Sequence, residues 1–556
     1  MNKKVCSFPI LFALLALLIG TCAVVFPASA QAAPTSTGSI TVSGTVASSY
    51  DAYQIFSANV VDGDSDAKIA TDLAWASDAV RDAALPVLHS AGMPNSQTTA
   101  QEAAEWLNTD SHLTSALSAQ LARSLQSSGA EPVALNAGTT AELSCGYWLI
   151  VADDDAIAQG EVGTAPIMAL VGGSAVTVKP KAATPKVAKY VLEDSTAAWQ
   201  KAADATVADD LYWRLSATVP AGLTAYDTYT VRFVDTMSAG LDPSKVAASV
   251  RVYAAAGADG GFDVVQTGKD GRAGTEPAKG WTDITAQCAT KVAADGKTFT
   301  VRTGDLIAAL GGADAFTAGA RVVAVYNAPL NGACNHGIAK GNPNEVYLRY
   351  PRSPFADQSG DAGFTRTPSD DACAYTWDLA LTKRGSDGDK PLARAVLSIA
   401  DDRGRTLAAD GTWDAEGKAT VTTGEDGRVT VSGVDSGKLE VRELKAPKGY
   451  TAFEGTRSVT VKAEGLDVDQ VAAAKPKLTI TAESPLRADS ADGSTGSLEA
   501  SLINTPTGTP PSITTGGFMP STGDMAMYAA AAAAVAGAAL LVVALLVKRG
   551  GGSHKE

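Results

Sequence analysis

Between residues 185 and 504 the chain is written in short alternating runs, and that period constrains its fold more than any other feature. Candidate strands cover residues 187–191, 213–219, 229–234, 250–253, 298–301, 321–326 and 346–350. A second group covers 377–383, 395–399, 429–431, 438–443, 457–461 and 498–503, and Gly, Asp and Pro separate the runs throughout. Successive side chains of a strand point to opposite faces, so each run presents one apolar face. Many short strands at this spacing stack as β-sandwiches. The expected fold is mainly β, a tandem of Ig-like sandwiches.

The same alternation places polar residues on the core face. Trp377, Leu379, Leu381 and Lys383 are in phase, as are Leu439, Val441 and Glu443, and Leu498, Ala500, Leu502 and Asn504. One sandwich thus receives a lysine, an acid and an amide. The middle segment repeats the pattern with Val187, Lys189 and Val191, with Val231, Phe233 and Asp235, and with Asn344, Val346, Leu348 and Tyr350. An unpaired buried charge costs several kcal/mol, roughly. One reading is a buried ion pair with an amide neighbour, or strand ends that reach solvent. The other is chemistry. Desolvation lowers a lysine pKa and raises that of a carboxyl. A neutral amine is a nucleophile, a protonated Asp235 or Glu443 polarises the amide, and the product is a Lys–Asn isopeptide bond with loss of ammonia.

Residues 38–56 alternate as strands, 67–128 carry Ala, Leu and Trp at helical spacing, and strands return at 147–151 and 165–178. This predicts a β-rich first domain with a helical insertion. In 176–181, Val176, Val178 and Pro180 share one face and Thr177, Lys179 and Lys181 the other, which exposes Lys181. Both ends speak of export. Lys3-Lys4, an apolar stretch over 10–26 and Ala28-Ser29-Ala30 form a secretory signal. Thr21 before Cys22 disfavours a lipoprotein site. Residues 525–547 are apolar and uncharged, long enough to span a bilayer, and are followed by Lys548-Arg549. A Pro/Thr/Gly linker precedes them.

The 60 acidic residues outnumber 45 basic ones, for a net charge of −15, which argues against nucleic-acid binding. Cys145, Cys288, Cys334 and Cys373 follow the signal and allow three disulfide connectivities in an exported protein. There is no C-x-x-C, and the four histidines are scattered, so neither a metal nor a cofactor is expected. G-x-S-x-G, H-E-x-x-H and a Cys/His arrangement are not found, which argues against an exported hydrolase.

Several stretches resemble known families. Met519-Pro520-Ser521-Thr522-Gly523, with the apolar run and basic tail behind it, resembles the wall-sorting signal of Gram-positive surface proteins, whose Leu-Pro-x-Thr-Gly has Leu where Met519 stands. The resemblance implies that a sortase cuts between Thr522 and Gly523 and that the chain is joined to peptidoglycan. Lys383, Pro391-Leu392 with Ala395, Glu443 through Tyr450, and Ile503-Asn504-Thr505 resemble the collagen-adhesin B-type (Cna B) repeat. Pro185 to Lys189, Phe233 to Thr236, Tyr326-Asn327-Ala328 and Asn342 to Val346 resemble the isopeptide-forming D2 domain of fimbrial major subunits. That family's Tyr-Ser-Asn-Asn-Pro is Tyr350-Pro351-Arg352-Ser353-Pro354 here, so Asn344, Asn342 and Asn327 all stand as acceptors for Lys189.

The segment ending in Pro180-Lys181 resembles the pilin motif Tyr-Pro-Lys, with Lys179 in the Tyr position. It implies attack by Lys181 on the Thr522 carbonyl of another copy, with Lys179 and Lys186 as rivals. Together the resemblances imply a major pilin, a structural and non-enzymatic subunit on the cell surface. Its partners would be a sortase, copies of itself, peptidoglycan and, for adhesion, host surface ligands. A monomeric wall-anchored adhesin binding a host protein or glycan is the alternative. The expected boundaries are 1–30 signal, 31–180 first domain, 181–352 D2-type sandwich, 353–373 linker, 374–506 Cna B-type sandwich, 507–518 linker and 519–556 sorting signal.

Overall fold

The computed structural model describes residues 36–508 except 65–66, 110, 181–182, 222, 258–279 and 313–318. The signal segment, Lys181, the sorting pentapeptide and the apolar run at 525–547 lie outside the described residues. Among the described residues no helix is long and apolar enough to cross a membrane.

Among the described residues the strands form six sheets, two for each of three successive segments. In the first segment, Thr37–Val42 lies between Thr140–Ser144 and Val176–Val178. The long strand Ser49–Asp62 pairs with Lys68–Trp75, Gly146–Ala152 and Val133–Asn136. Three helices follow: α1 (Asp78–Ser90), α2 (Ala100–Asn108) and α3 (Ser115–Ser127). Each starts where a side-chain oxygen caps it: Ser77, Thr99 in a capping box with Glu102, and Thr114. Residues 68–75, expected to be helical, are a strand. The first cap comes only at Ser77, and the backbone before it is satisfied by the ladder to Ser49–Asp62.

The middle sandwich carries six strands that matter to the site: β1 (Lys186–Glu193), β2 (Tyr212–Val219), β3 (Arg232–Met237), β4 (Ala320–Asn327), β5 (Asn342–Pro351) and β6 (Asp370–Tyr375). In one sheet β2 lies between β1 and β4, with Leu215 opposite both Lys189 and Ala324. In the other, β5 lies between β3 and β6, with Asn344 opposite Met237 and Ala372. The stretch expected as a linker over 353–373 therefore does not behave as one. Phe364–Arg366 and β6 both fold back onto β5 and extend its sheet. It follows that β5 is not the last strand of its sandwich.

The third sandwich opens with β7 (Trp377–Gly385) and closes with β9 (Ser497–Pro506). The two run parallel, Lys383 opposite Leu502 and Gly385 opposite Asn504. The facing sheet is centred on β8 (Gly437–Lys445), held between Val396–Ala400 and Thr456–Glu464.

The middle and third sandwiches meet at a polar clamp. Trp377, fully buried, donates its indole N–H to Asp204 Oδ2 at 2.6 Å, and Ser436 donates its backbone N–H and hydroxyl to the same oxygen at 2.9 and 2.5 Å. Trp377→Phe keeps most of the packing and removes one of three donors to a buried carboxylate. A loss of roughly 1–3 kcal/mol is expected, read as a lower denaturation midpoint. An unchanged midpoint would show that the clamp contributes nothing to stability.

Candidate functional site

Two buried constellations stand out, one in each of the last two sandwiches. In the middle one, β1 carries Lys189 inward between the half-buried Ala188 and Tyr190, and Lys189, Asp235 and Asn344 are all 0% exposed. Lys189 and Tyr326 come from one sheet, Asp235 and Asn344 from neighbouring strands of the other. The Lys189 ammonium is ion-paired with Asp235 Oδ2 and donates to the Tyr326 hydroxyl at 2.9 Å. That hydroxyl donates to Asp235 Oδ2 at 3.1 Å and accepts from Asn344 Nδ2 at 2.7 Å. Trp213 and Tyr326 wall the amine, their ring centroids 5.5 and 5.4 Å from Nζ. Asp235 Oδ1 and Asn344 Oδ1 are buried acceptors without donors.

Burial dominates the electrostatics. It lowers the Lys189 pKa to about 8, against the opposing pull of Asp235. It raises that of Asp235 against the pull of Lys189. Both shifts favour the neutral amine and the neutral acid. At pH 7 a lysine with a pKa of about 8 is neutral in roughly one molecule in ten, against about one in three thousand for an ordinary lysine. The rival asparagines have other tasks. Asn327 accepts from Leu211 N at 3.0 Å and donates to Asp210 at 2.7 Å. Asn342 exchanges bonds with the Asn335 backbone at 2.8 and 2.9 Å and donates to Ala374 O at 3.2 Å. Of the three, Asn344 is the one bonded to the Tyr326 hydroxyl that Lys189 and Asp235 also engage.

In the third sandwich, Lys383 on β7 and Asn504 on β9 share a sheet, while Glu443 reaches across from β8; they are 0, 2 and 6% exposed. Glu443 Oε1 lies 3.4 Å from Lys383 Nζ and accepts from Asn504 Nδ2 at 2.9 Å. Its other oxygen accepts from Phe453 N at 3.2 Å. Burial lowers the Lys383 pKa to about 8, and Glu443 opposes that shift. Asn504 Oδ1 is a buried acceptor without a donor. Here one carboxylate touches amine and amide directly. In the middle sandwich a tyrosine stands between acid and amide. Tyr326 lies in the Tyr326-Asn327-Ala328 stretch that resembles the D2 domain, but alternation gives it no role beyond that of an ordinary core residue.

The cysteines do not form disulfides. Cys145, Cys288, Cys334 and Cys373 are all free. They sit on separate elements, Cys373 turned to the Ala374 carbonyl and Cys334 to His336, whose Nε2 is 3.5 Å from its sulfur. His336 Nδ1 is 2.8 Å from Asp378 Oδ1 but misaligned for a hydrogen bond. A Cys/His contact therefore does exist, invisible to motif reading because its acid lies on β7 of the next sandwich. Burial raises the Cys334 pKa, so the thiol stays protonated. Lys179 and Lys186, the rivals named for Lys181, are exposed.

The SpaA family model, described as a prealbumin-like fold domain, matches residues 378–475. The SpaA-type match holds Lys383 and Glu443 and ends before β9, which supplies Asn504. Over 143 residues the chain is 29% identical to the trypsin-resistant surface T6 protein of Streptococcus pyogenes serotype M6, covering 24% of either chain. It thus matches about a quarter of that relative's length. Among solved structures it is similar to the T6 backbone pilin of serotype M6 Streptococcus pyogenes, at TM-score 0.44 and 18% identity over 85% of this chain and 98% of that one. It is also similar to the full-length major pilin SpaD from Corynebacterium diphtheriae, at TM-score 0.41 and 15% identity over 85% and 98%.

Proposed function

We propose that this chain is the structural subunit of a covalent surface fibre, a major pilin stiffened by two self-made isopeptide bonds, Lys189 to Asn344 and Lys383 to Asn504. The observation that carries the reading is the repetition of one buried lysine–acid–asparagine set in two successive sandwiches. A salt bridge kept for stability alone is poorly served by such burial, because desolvation offsets the Coulombic gain. A reaction is well served: the neutral amine attacks Cγ of the amide, the acid takes up the proton that the amine gives, and ammonia leaves. The product has no buried charge on the lysine.

The fibre itself would be made by a sortase, which joins the Thr522 carbonyl of one copy to Lys181 of the next and finally to peptidoglycan. Similarity to the surface T6 protein supports the cell-surface setting. The parallel neighbours β7 and β9 are the first and last strands of their sandwich. A bond between them would carry tension past the hydrogen-bond ladders. In the middle sandwich the bond would join its two sheets.

The test is the intact mass of purified residues 31–518 under reducing conditions. The expected mass is lower than the sequence mass by two molecules of ammonia. One ammonia would confine the chemistry to one sandwich, and an unshifted mass would end the bond reading.

A further inference from the structure

The two sites differ in one respect that bears on how each bond is made. Glu443 contacts both lysine and asparagine with a single oxygen. Asp235 has a side chain one methylene shorter, and the contact to the Asn344 nitrogen is made by Tyr326 instead. The phenol is fully buried on β4 and packs edge-on against Phe299 at 4.8 Å. A tyrosine hydroxyl has one proton to give and two lone pairs. All three are used, and all three partners are reacting groups: it donates to Asp235, and accepts from Lys189 and from Asn344.

We infer that Tyr326 is a catalytic residue of the middle sandwich, the proton carrier between Asp235 and the leaving nitrogen of Asn344. The inference rests on the isopeptide reading of Lys189, Asp235 and Asn344. The balance is as follows. The Lys189 ammonium gives one proton to the Asp235 carboxylate, and the neutral amine attacks Asn344 Cγ. The Nζ–Cγ bond forms and the Cγ–Nδ2 bond breaks. The departing nitrogen takes the phenolic proton and leaves as ammonia, while Asp235 returns its proton to the phenolate oxygen. Nζ then sheds its second proton to Asp235. The site ends with a neutral isopeptide, a neutral acid and an intact phenol. Without the hydroxyl, the amide nitrogen must leave as an anion, or water must enter a site that has no exposed atom of Lys189, Asp235 or Asn344.

The third sandwich supplies an internal clock, since its acid reaches the amide unaided. The experiment follows the full chain after cell-free synthesis and measures the joined Lys189/Asn344 and Lys383/Asn504 peptides in a digest by mass spectrometry. In Tyr326→Phe the middle linkage is expected to form roughly a hundredfold more slowly or more, the scale of general acid catalysis. The Lys383 linkage should form at its normal rate in the same molecules. A middle linkage at the wild-type rate in Tyr326→Phe would overturn the inference. If wild type itself lacks the middle linkage, it is the underlying bond reading that fails. Should the Phe variant be poorly folded, 3-fluorotyrosine at position 326 keeps the shape and changes only the acidity of the phenol. A several-fold change in the middle rate alone is expected, and an unchanged rate overturns the proposal.

Discussion

Asn504→Ala is expected to fall short of its own sequence mass by one ammonia where the parent falls short of its own by two, and to give a third sandwich that melts far below its parent. The substitution is chosen because it removes the acceptor and leaves the lysine with its counter-ion. Glu443 remains 3.4 Å from Lys383 Nζ, so no unpaired buried charge is created and the loss reports the covalent bond. The cross-link from Lys383 to Asn504 closes a loop of roughly 120 residues. Like a disulfide it stays closed in the unfolded chain, and the loop-closure relation assigns it about 5 kcal/mol. For a unit of this size that is a fall of roughly 15–25 °C. Reductant should not reproduce the effect on the parent protein. Glu443→Ala should be worse, because it loses the bond and also strands the lysine, adding roughly 3–5 kcal/mol. A parent and an Asn504→Ala variant that melt within a few degrees, each short of its own sequence mass by the same amount, would show that this asparagine is never joined.

What was legible in the sequence was whatever depends on period. Alternation alone puts Lys383 in phase with Trp377, Leu379 and Leu381, and the structure buries all four. The inward set in the middle sandwich is read the same way. Three things escaped, each for a physical reason. The segment around Asp370 is dense in Ser, Gly and Asp, a composition that hides a strand. Yet Asp370 accepts the backbone N–H of Lys189 at 2.6 Å and pairs with the buried Lys201, and so braces β1 at the site. Residues 68–75 share apolar and small residues with the helices that follow, so composition could not separate strand from helix before the first cap. Tyr326 and the contact of Cys334 with His336 and Asp378 depend on which strands become neighbours, and a period of two says nothing of that. The choice among three asparagines is of the same kind. Hydrogen bonds hold Asn327 and Asn342 elsewhere, which favours Asn344.

The largest effect expected on cells comes from a residue that no sandwich needs. Val178 is buried and Lys179 exposed, and Pro180 is half-buried. The alternation read from the sequence predicts that Lys181, outside the described residues, is exposed, as an intermolecular acceptor would have to be. An exposed amine keeps an ordinary pKa and is mostly charged, so on the proposed reading the attack would have to be assisted by the enzyme that would hold Thr522 as its acyl partner. The inward lysines make the opposite bargain, activated by burial and closed to any other chain. Lys181→Ala should therefore leave both internal linkages and the melting behaviour untouched and leave anchored monomer on the wall. The ladder of high-mass species in wall extracts should vanish. A ladder that survives would move the role to Lys179 or Lys186, both exposed, and the double variant of those two would then remove it. If no ladder is seen even with the natural chain and its sortase, the subunit is a monomeric anchored adhesin, and its two buried sets serve one molecule under load instead of a fibre.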